Sequence, residues 1–258
     1  MTRKSDLFIE RGEEEESASL RFPSPKKTWI EGFDASFAQG EAGGYHSVFC
    51  GEIWRAPPDE SRRLSRAIRS LISGYRRKMG VPPESAVLVA GIGNEAASAD
   101  SLGPRTAARV LATPEDLRAA GLPPVYAVRT GIPGETGIGT HRHIRALADE
   151  TGSGLIVTVD SLTARSGERL GTVVQITDCG ITPGSALGHA AGEISRRTMP
   201  CPVLSLGVPT VIRSDVLTGE ETDKPMFVTR ADTDAMVTCY ANVIAAALNE
   251  AFTGNSAD

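Results

Sequence analysis

Apolar residues recur along this chain with two periods. Over residues 59–78, Leu64, Ile68, Leu71, Ile72 and Tyr75 fall on one helical face, while Arg62, Arg63, Arg66, Arg69, Arg76 and Arg77 take the rest of the surface. That spacing predicts an amphipathic helix, and Gly80-Val81-Pro82-Pro83 ends it. Val87-Leu88-Val89-Ala90 follows as an unbroken apolar run, closes on Gly91-Ile92-Gly93-Asn94, and passes through small residues into the helical pattern Ala107, Ala108, Val110, Leu111. The pattern reads as buried strand, tight turn, then helix. The alternation continues with strands over 125–128, 155–160, 172–176 and 202–207. Helices are expected over 141–150, 190–198 and 232–252, the last with Met236, Tyr240, Val243, Ile244 and Leu248 on its buried stripe. Strands alternating with helices predict an α/β fold, a three-layer α/β/α domain with a mostly parallel central sheet.

The first 50 residues differ in character. Glu13-Glu14-Glu15-Glu16 is a block of like charge, and the segment after it is rich in Gly, Ser, Pro and Lys. Phe22, Trp29, Phe33, Phe37, Tyr45 and Phe49 are too many aromatics for a free tail, so the segment is expected to wrap onto the rest. The expected organisation is an acidic N-terminal segment over 1–50 and a single α/β domain over 51–258.

Composition narrows the function classes. Hydrophobic content of 40% and charged content of 23% are ordinary for a globular protein. A net charge of −5 gives no reason to expect direct contact with nucleic acid. Cys50, Cys179, Cys201 and Cys239 are scattered without CxxC spacing, which indicates neither a zinc module nor a disulfide scaffold. No apolar run approaches the roughly 20 residues of a membrane span, and no signal core opens the chain. A cytoplasmic protein without membrane or cofactor is the expectation.

Two carboxylates stand out for chemistry. Asp100 and Asp160 each follow a buried strand and sit among small residues, and ends of parallel strands share one edge. Asp100 precedes a helix pattern, where free N–H groups stabilise a carboxylate, so a capping role is one reading. Convergence on Asp160 is the other. Such a pair can divide general-base and general-acid work, or bind a metal with a third ligand such as His189. A helix N-terminus would keep Asp100 ionised as base and leave Asp160 as proton carrier.

Other chemistries fit less well. Gly91-Ile92-Gly93-Asn94-Glu95-Ala96 matches a dinucleotide fingerprint, but the next strand ends in Arg129 and Thr130 rather than an acid. No G-x-S-x-G elbow is present, Ser185 reads as a turn residue, and His141 and His143 as surface residues.

Taken in order, these segments resemble the germination protease (spore protease) family. The matching pieces are Gly91-Ile92-Gly93-Asn94 with Ala99-Asp100-Ser101-Leu102-Gly103-Pro104, then Gly131-Ile132-Pro133-Gly134-Glu135-Thr136-Gly137-Ile138. Val159-Asp160-Ser161-Leu162-Thr163-Ala164-Arg165-Ser166 and Gln175-Ile176-Thr177-Asp178-Cys179-Gly180-Ile181-Thr182-Pro183-Gly184-Ser185 follow. Leu206-Gly207-Val208-Pro209-Thr210-Val211 and Ala241-Asn242-Val243-Ile244 complete the set.

The resemblance implies an aspartate-dependent endopeptidase that degrades small acid-soluble spore proteins at germination, in the cytoplasm of the forespore and spore core. Its essential carboxylates match Asp100 and Asp160, with Gly91, Gly93, Asn94, Gly134, Glu135, Thr136 and Ser185 supporting or binding substrate. It also implies a zymogen with a pro-segment over 1–6 cut between Asp6 and Leu7, and assembly as a homo-oligomer, a tetramer in the family. The implied fold is hydrogenase-maturation-protease-like (phosphorylase/hydrolase-like). In those relatives the equivalent pair binds a metal, so the alternatives are a metal-dependent maturation endopeptidase using Asp100, Asp160 and His189, or a catalytically silent sporulation protein that binds spore proteins.

Overall fold

The computed structural model describes residues 6–7, 25–40, 43–114, 121–184, 192–219, 222 and 226–253. A nine-stranded sheet runs through them. Its strands are β1 (Lys26–Ile30), β2 (Phe33–Gly40), β3 (Gly43–Phe49), β4 (Val87–Ile92), β5 (Val125–Gly131), β6 (Leu155–Ala164), β7 (Val173–Thr177), β8 (Val203–Arg213) and β9 (Phe227–Val228). The helices are α1 (Pro58–Lys78), α2 (Leu102–Ala107), α3 (Pro133–Thr136), α4 (Thr140–Thr151), α5 (Ser214–Thr218) and α6 (Thr233–Phe252).

Strand order is β1-β2-β3-β7-β8-β6-β4-β5, with β9 paired to β8. The contiguous set β8, β6, β4 and β5 is parallel, as the alternating pattern predicts. β7 runs antiparallel to β8 and receives the antiparallel meander β1–β3 on its other side. The sheet is therefore mixed, and it crosses the position near residue 50 where the sequence changes character. The aromatic segment over 26–49 does not lie on the sheet but extends it, with β3 in register against β7.

Strand periodicity assigns the two faces. Leu155, Val157 and Val159 of β6, Val174 and Ile176 of β7, and Leu204, Leu206 and Val208 of β8 meet α1 and α6 in the main core. From the helices come Leu64, Ile68, Ile72, Met236, Tyr240, Ile244 and Leu248. Each such side chain contributes roughly 1.5–3 kcal/mol on burial, which is what holds this layer on. On the opposite face Leu88, Ala90, Ile156 and Val203 pack under Ile144 and Ala148 of α4. Helices on both faces give the three expected layers.

Three expectations are corrected. The helix after β4 stops at Ala107, because the chain turns so that the Thr113 N–H can meet the Val125 carbonyl at the start of β5 (2.9 Å). No helix forms over 192–198. Ile194 makes a β-bridge with Ile181, and the Ser195 and Thr198 hydroxyls bond local backbone groups, which competes with helical pairing. Finally, α6 is long and apolar enough to pass as a membrane span. In the fold its apolar residues, Met236, Val237, Tyr240, Ile244 and Leu248 among them, are buried in the core.

Candidate active site

The second face of the sheet carries rows of in-register side chains. Thr158 on β6 stands beside Ser205 on β8, their hydroxyls bonded at 2.8 Å, and Ser205 pairs in register with Thr177 on β7. One step along, Asp160 aligns with Gly207, and Gly207 with Gln175. Beyond that row Leu162 and Val173 belong to a separate apolar cluster. The polar rows thus lie between two apolar clusters of one face, a low-dielectric setting in which charge is costly unless bonded.

Asp160 is placed by β6, which does not end there as expected but continues to Ala164. β4 stops pairing at Gly91, opposite Val159, so Asp160 stands at the level where the neighbouring strand turns away. Its Oδ1 accepts the Ser161 N–H at 2.8 Å.

Asp100 reaches the same place from the loop after β4. The backbone passes Gly93 at φ +126°, where an added Cβ would lie 2.0 Å from the Asp100 carbonyl oxygen, so only glycine fits this fold-back. Asp100 Oδ2 then accepts the Asn94 N–H at 2.7 Å. The side chain caps no helix: Ser101 is the residue before α2, and its own side chain makes no capping bond. The loop is tied down by the Thr210 hydroxyl on the Ala99 carbonyl (2.6 Å). Asp234 at the start of α6 adds contacts to Ser98 (3.5 Å) and Arg105 (2.6 Å).

Electrostatics separates the two acids. Burial pushes Asp160, only 9% exposed, well above the usual carboxylate range, and the negative charges of Asp100 and Asp6 push it further. Asp100 is pushed up to about 6, mainly by burial; the Asn94 N–H opposes that shift and the Glu135 carboxylate adds to it. Both acids are thus harder to ionise than a free aspartate, Asp160 under burial and two neighbouring negative charges, Asp100 chiefly under burial.

The third acid, Asp6, comes from the N-terminal segment. Its N–H donates to the Thr163 carbonyl at 3.0 Å, and its Oδ2 accepts the Thr163 N–H at 3.0 Å. Thr163 follows a register slip of β6 against β8. Leu7 is fully buried among Leu162, Ala164, Leu170, Val173 and Ile212, with Phe49 and Val216 at the rim. The Asp6 carbonyl accepts the Gln175 Nε2–H at 3.4 Å.

The remaining expected residues scatter. Gly91 lies inside β4, where an added Cβ would meet the Gly103 carbonyl at 2.1 Å, so its role is packing against α2. Gly134, Glu135 and Thr136 form α3 and are exposed, with Glu135 near enough to act on Asp100. Thr136 bonds the Ile132 and Ile138 carbonyls. Ser185 and His189 lie outside the described residues, and among the described residues no three His, Cys, Asp or Glu side chains are grouped to hold a metal. Thr163 and Gln175 were not singled out for chemistry from the sequence; their only signal is position within motif segments.

These features define an α/β protein with a two-carboxylate centre on one face of a mixed sheet. Residues 27–224 match the family model Peptidase_A25, described as germination protease. The chain belongs to the germination protease family, as the ordered motifs indicated. It is 34% identical over 197 residues to a germination protease of Bacillus cytotoxicus, covering 73% of this chain and 53% of that protein. To a germination protease of Geobacillus sp. (strain WCH70) it is 37% identical over 158 residues, covering 58% and 42%. To one from Oceanobacillus iheyensis it is 33% identical over 187 residues, covering 70% and 51%. The chain thus spans about half the length of these curated relatives. Among solved structures it is similar to a [NiFe] hydrogenase maturation protease, HycI, from Thermococcus kodakarensis KOD1, at 17% identity and TM-score 0.35, covering 69% of this chain and 98% of that one.

Proposed function

We propose that the chain is an endopeptidase that uses Asp100 and Asp160 on a water molecule. Ionised Asp100 takes a proton from water as its oxygen attacks the peptide carbonyl, and protonated Asp160 supplies the proton that the leaving amine needs. The observation that carries this reading is the Asp6–Leu7 dipeptide, bonded through Asp6 to Thr163 of β6 with the Asp6 carboxylate near enough to act on Asp160. On this reading the bond between Asp6 and Leu7 is the self-processing site, and residues 1–6 are the pro-segment. The same reading takes small acid-soluble spore proteins as the substrates, the spore core as the location and several copies as the assembly, and membership of the germination protease family supports it.

The test is incubation of the full chain, alone and with a small acid-soluble spore protein, followed by mass spectrometry. Discrete fragments are expected from the wild type, and none from Asp100→Asn or Asp160→Asn with circular dichroism unchanged. A folded variant of either kind that still cleaves would sink the assignment.

A further inference from the structure

We propose that Gln175 is a catalytic residue of this reaction, its side-chain amide holding the carbonyl oxygen of the bond that is cut. The inference rests on the two-carboxylate reading and adds to it the group that receives the developing negative charge.

Three placements converge on one peptide bond. Thr163 binds the N–H and the carboxylate of Asp6, which fixes the residue before the bond. The pocket of Leu162, Ala164, Leu170, Val173 and Ile212 buries Leu7, which fixes the residue after it. Gln175 Nε2 then faces the single atom between them where charge must build, the Asp6 carbonyl oxygen, at 3.4 Å.

The sheet explains how it gets there. Gln175, Gly207 and Asp160 are in register on three adjacent strands, and the middle position has no side chain. An added Cβ at Gly207 would lie 2.6 Å from Leu162 Cγ, so the Leu162 side chain, which also packs on Leu7, lies over this glycine, and no side chain of β8 comes between Asp160 and Gln175. Gln175 is 5% exposed between Val173 and Thr177, both buried, so a polar amide is held where an apolar side chain would pack without desolvation cost. A separation of 3.4 Å is long for a ground-state hydrogen bond and suits a donor aimed at where an oxyanion will form.

The step balances with the groups named. The water oxygen bonds to the Asp6 carbonyl carbon as its proton passes to Asp100, and the carbonyl π pair moves onto the oxygen held by the Gln175 N–H. Collapse re-forms the carbonyl and breaks the bond to the Leu7 nitrogen, which takes its proton from Asp160.

The experiment uses the full chain and follows self-cleavage together with steady-state cleavage of a synthetic peptide of residues 2–11. Gln175→Ala, Gln175→Met and Gln175→Glu are compared with wild type, the last two keeping side-chain length should the alanine variant fold poorly. Binding comes from Thr163 and the Leu7 pocket, so KM is expected to stay within about three-fold while kcat falls ~10²–10³-fold. A folded variant with kcat near wild type, or a loss carried entirely by KM, overturns the proposal. Asp160→Asn is the parallel arm. If it cleaves, the two-carboxylate reading fails whatever Gln175 does; if it is inactive while Gln175→Met is active, only the role of Gln175 fails.

Discussion

Asp6 is held by both main-chain groups of Thr163, one bond through its own backbone and one through its carboxylate. Thr163 lies just beyond Asp160 on β6, so the same strand presents an acid and grips a peptide. The grip reads backbone and an acidic side chain at once, and the neighbouring pocket reads an apolar one. Docking an extended segment on sheet backbone with pockets for its side chains is a recurrent mode of peptide recognition.

Leu7→Asp tests whether the pocket holds this segment. A carboxylate placed among Leu162, Leu170, Val173 and Ile212 loses the roughly 1.5–3 kcal/mol of leucine burial and meets a desolvation cost as well. The segment is expected to leave, while the nine-stranded sheet, which depends on none of its bonds, stays folded. Hydrogen exchange should show the Thr163 amide losing protection and residues 155–159 keeping theirs. Unchanged protection at Thr163 would mean the dipeptide is held by something other than this pocket.

Cleavage of a peptide should follow a bell in pH. The acid limb rises through about 6 as Asp100 ionises, and the alkaline limb falls where Asp160 at last gives up its proton, well above the usual carboxylate range. Glu135→Gln removes a charge that raises Asp100, so the acid limb should move to lower pH with the alkaline limb in place. Glu135 is exposed on α3, and its replacement leaves the core untouched. Profiles of kcat/KM for both chains decide it, and an acid limb that stays or moves upward contradicts the assignment of that limb to Asp100.

Much of this was legible in the sequence, and the limits have physical causes. Apolar runs mark β4, β6 and β8 because parallel strands are covered on both faces. Asp100 shows itself because glycines close the β4 run; Asp160 shows itself as the first carboxylate after one. The continuation of β6 to Ala164 was not visible, since Leu162 and Ala164 pack on Leu7 from the far N-terminus. The meander was missed although Phe33, Ala35 and Phe37 alternate with Asp34 and Ser36, a period-2 signal masked by the charged, glycine-rich flanks. Beyond its place in a motif segment Gln175 gave no sign of chemistry, because a polar residue in a strand reads as solvent-facing until Gly207 aligns it with Asp160.

The same burial that raises the Asp100 pKa should cost stability at neutral pH. Its pKa is about 6 in the folded chain against 3.8 as an ordinary aspartate. Below about pH 4 the group is protonated in both states and contributes nothing. As pH rises toward 6 the unfolded chain releases the proton that the folded chain still holds, so stability falls, and beyond 6 the full penalty remains. The shift corresponds to a penalty on the order of 3 kcal/mol at pH 7. Asp100→Asn removes the titration yet leaves an oxygen to accept the Asn94 N–H, and it relieves Asp160 of a neighbouring charge. Thermal unfolding should therefore place the variant several degrees above wild type near pH 7, with the gap closing near pH 4. The carboxylate would thus be a group kept for chemistry at the expense of the fold, whereas an Asp100→Asn chain less stable than wild type at neutral pH would make it a structural anchor instead.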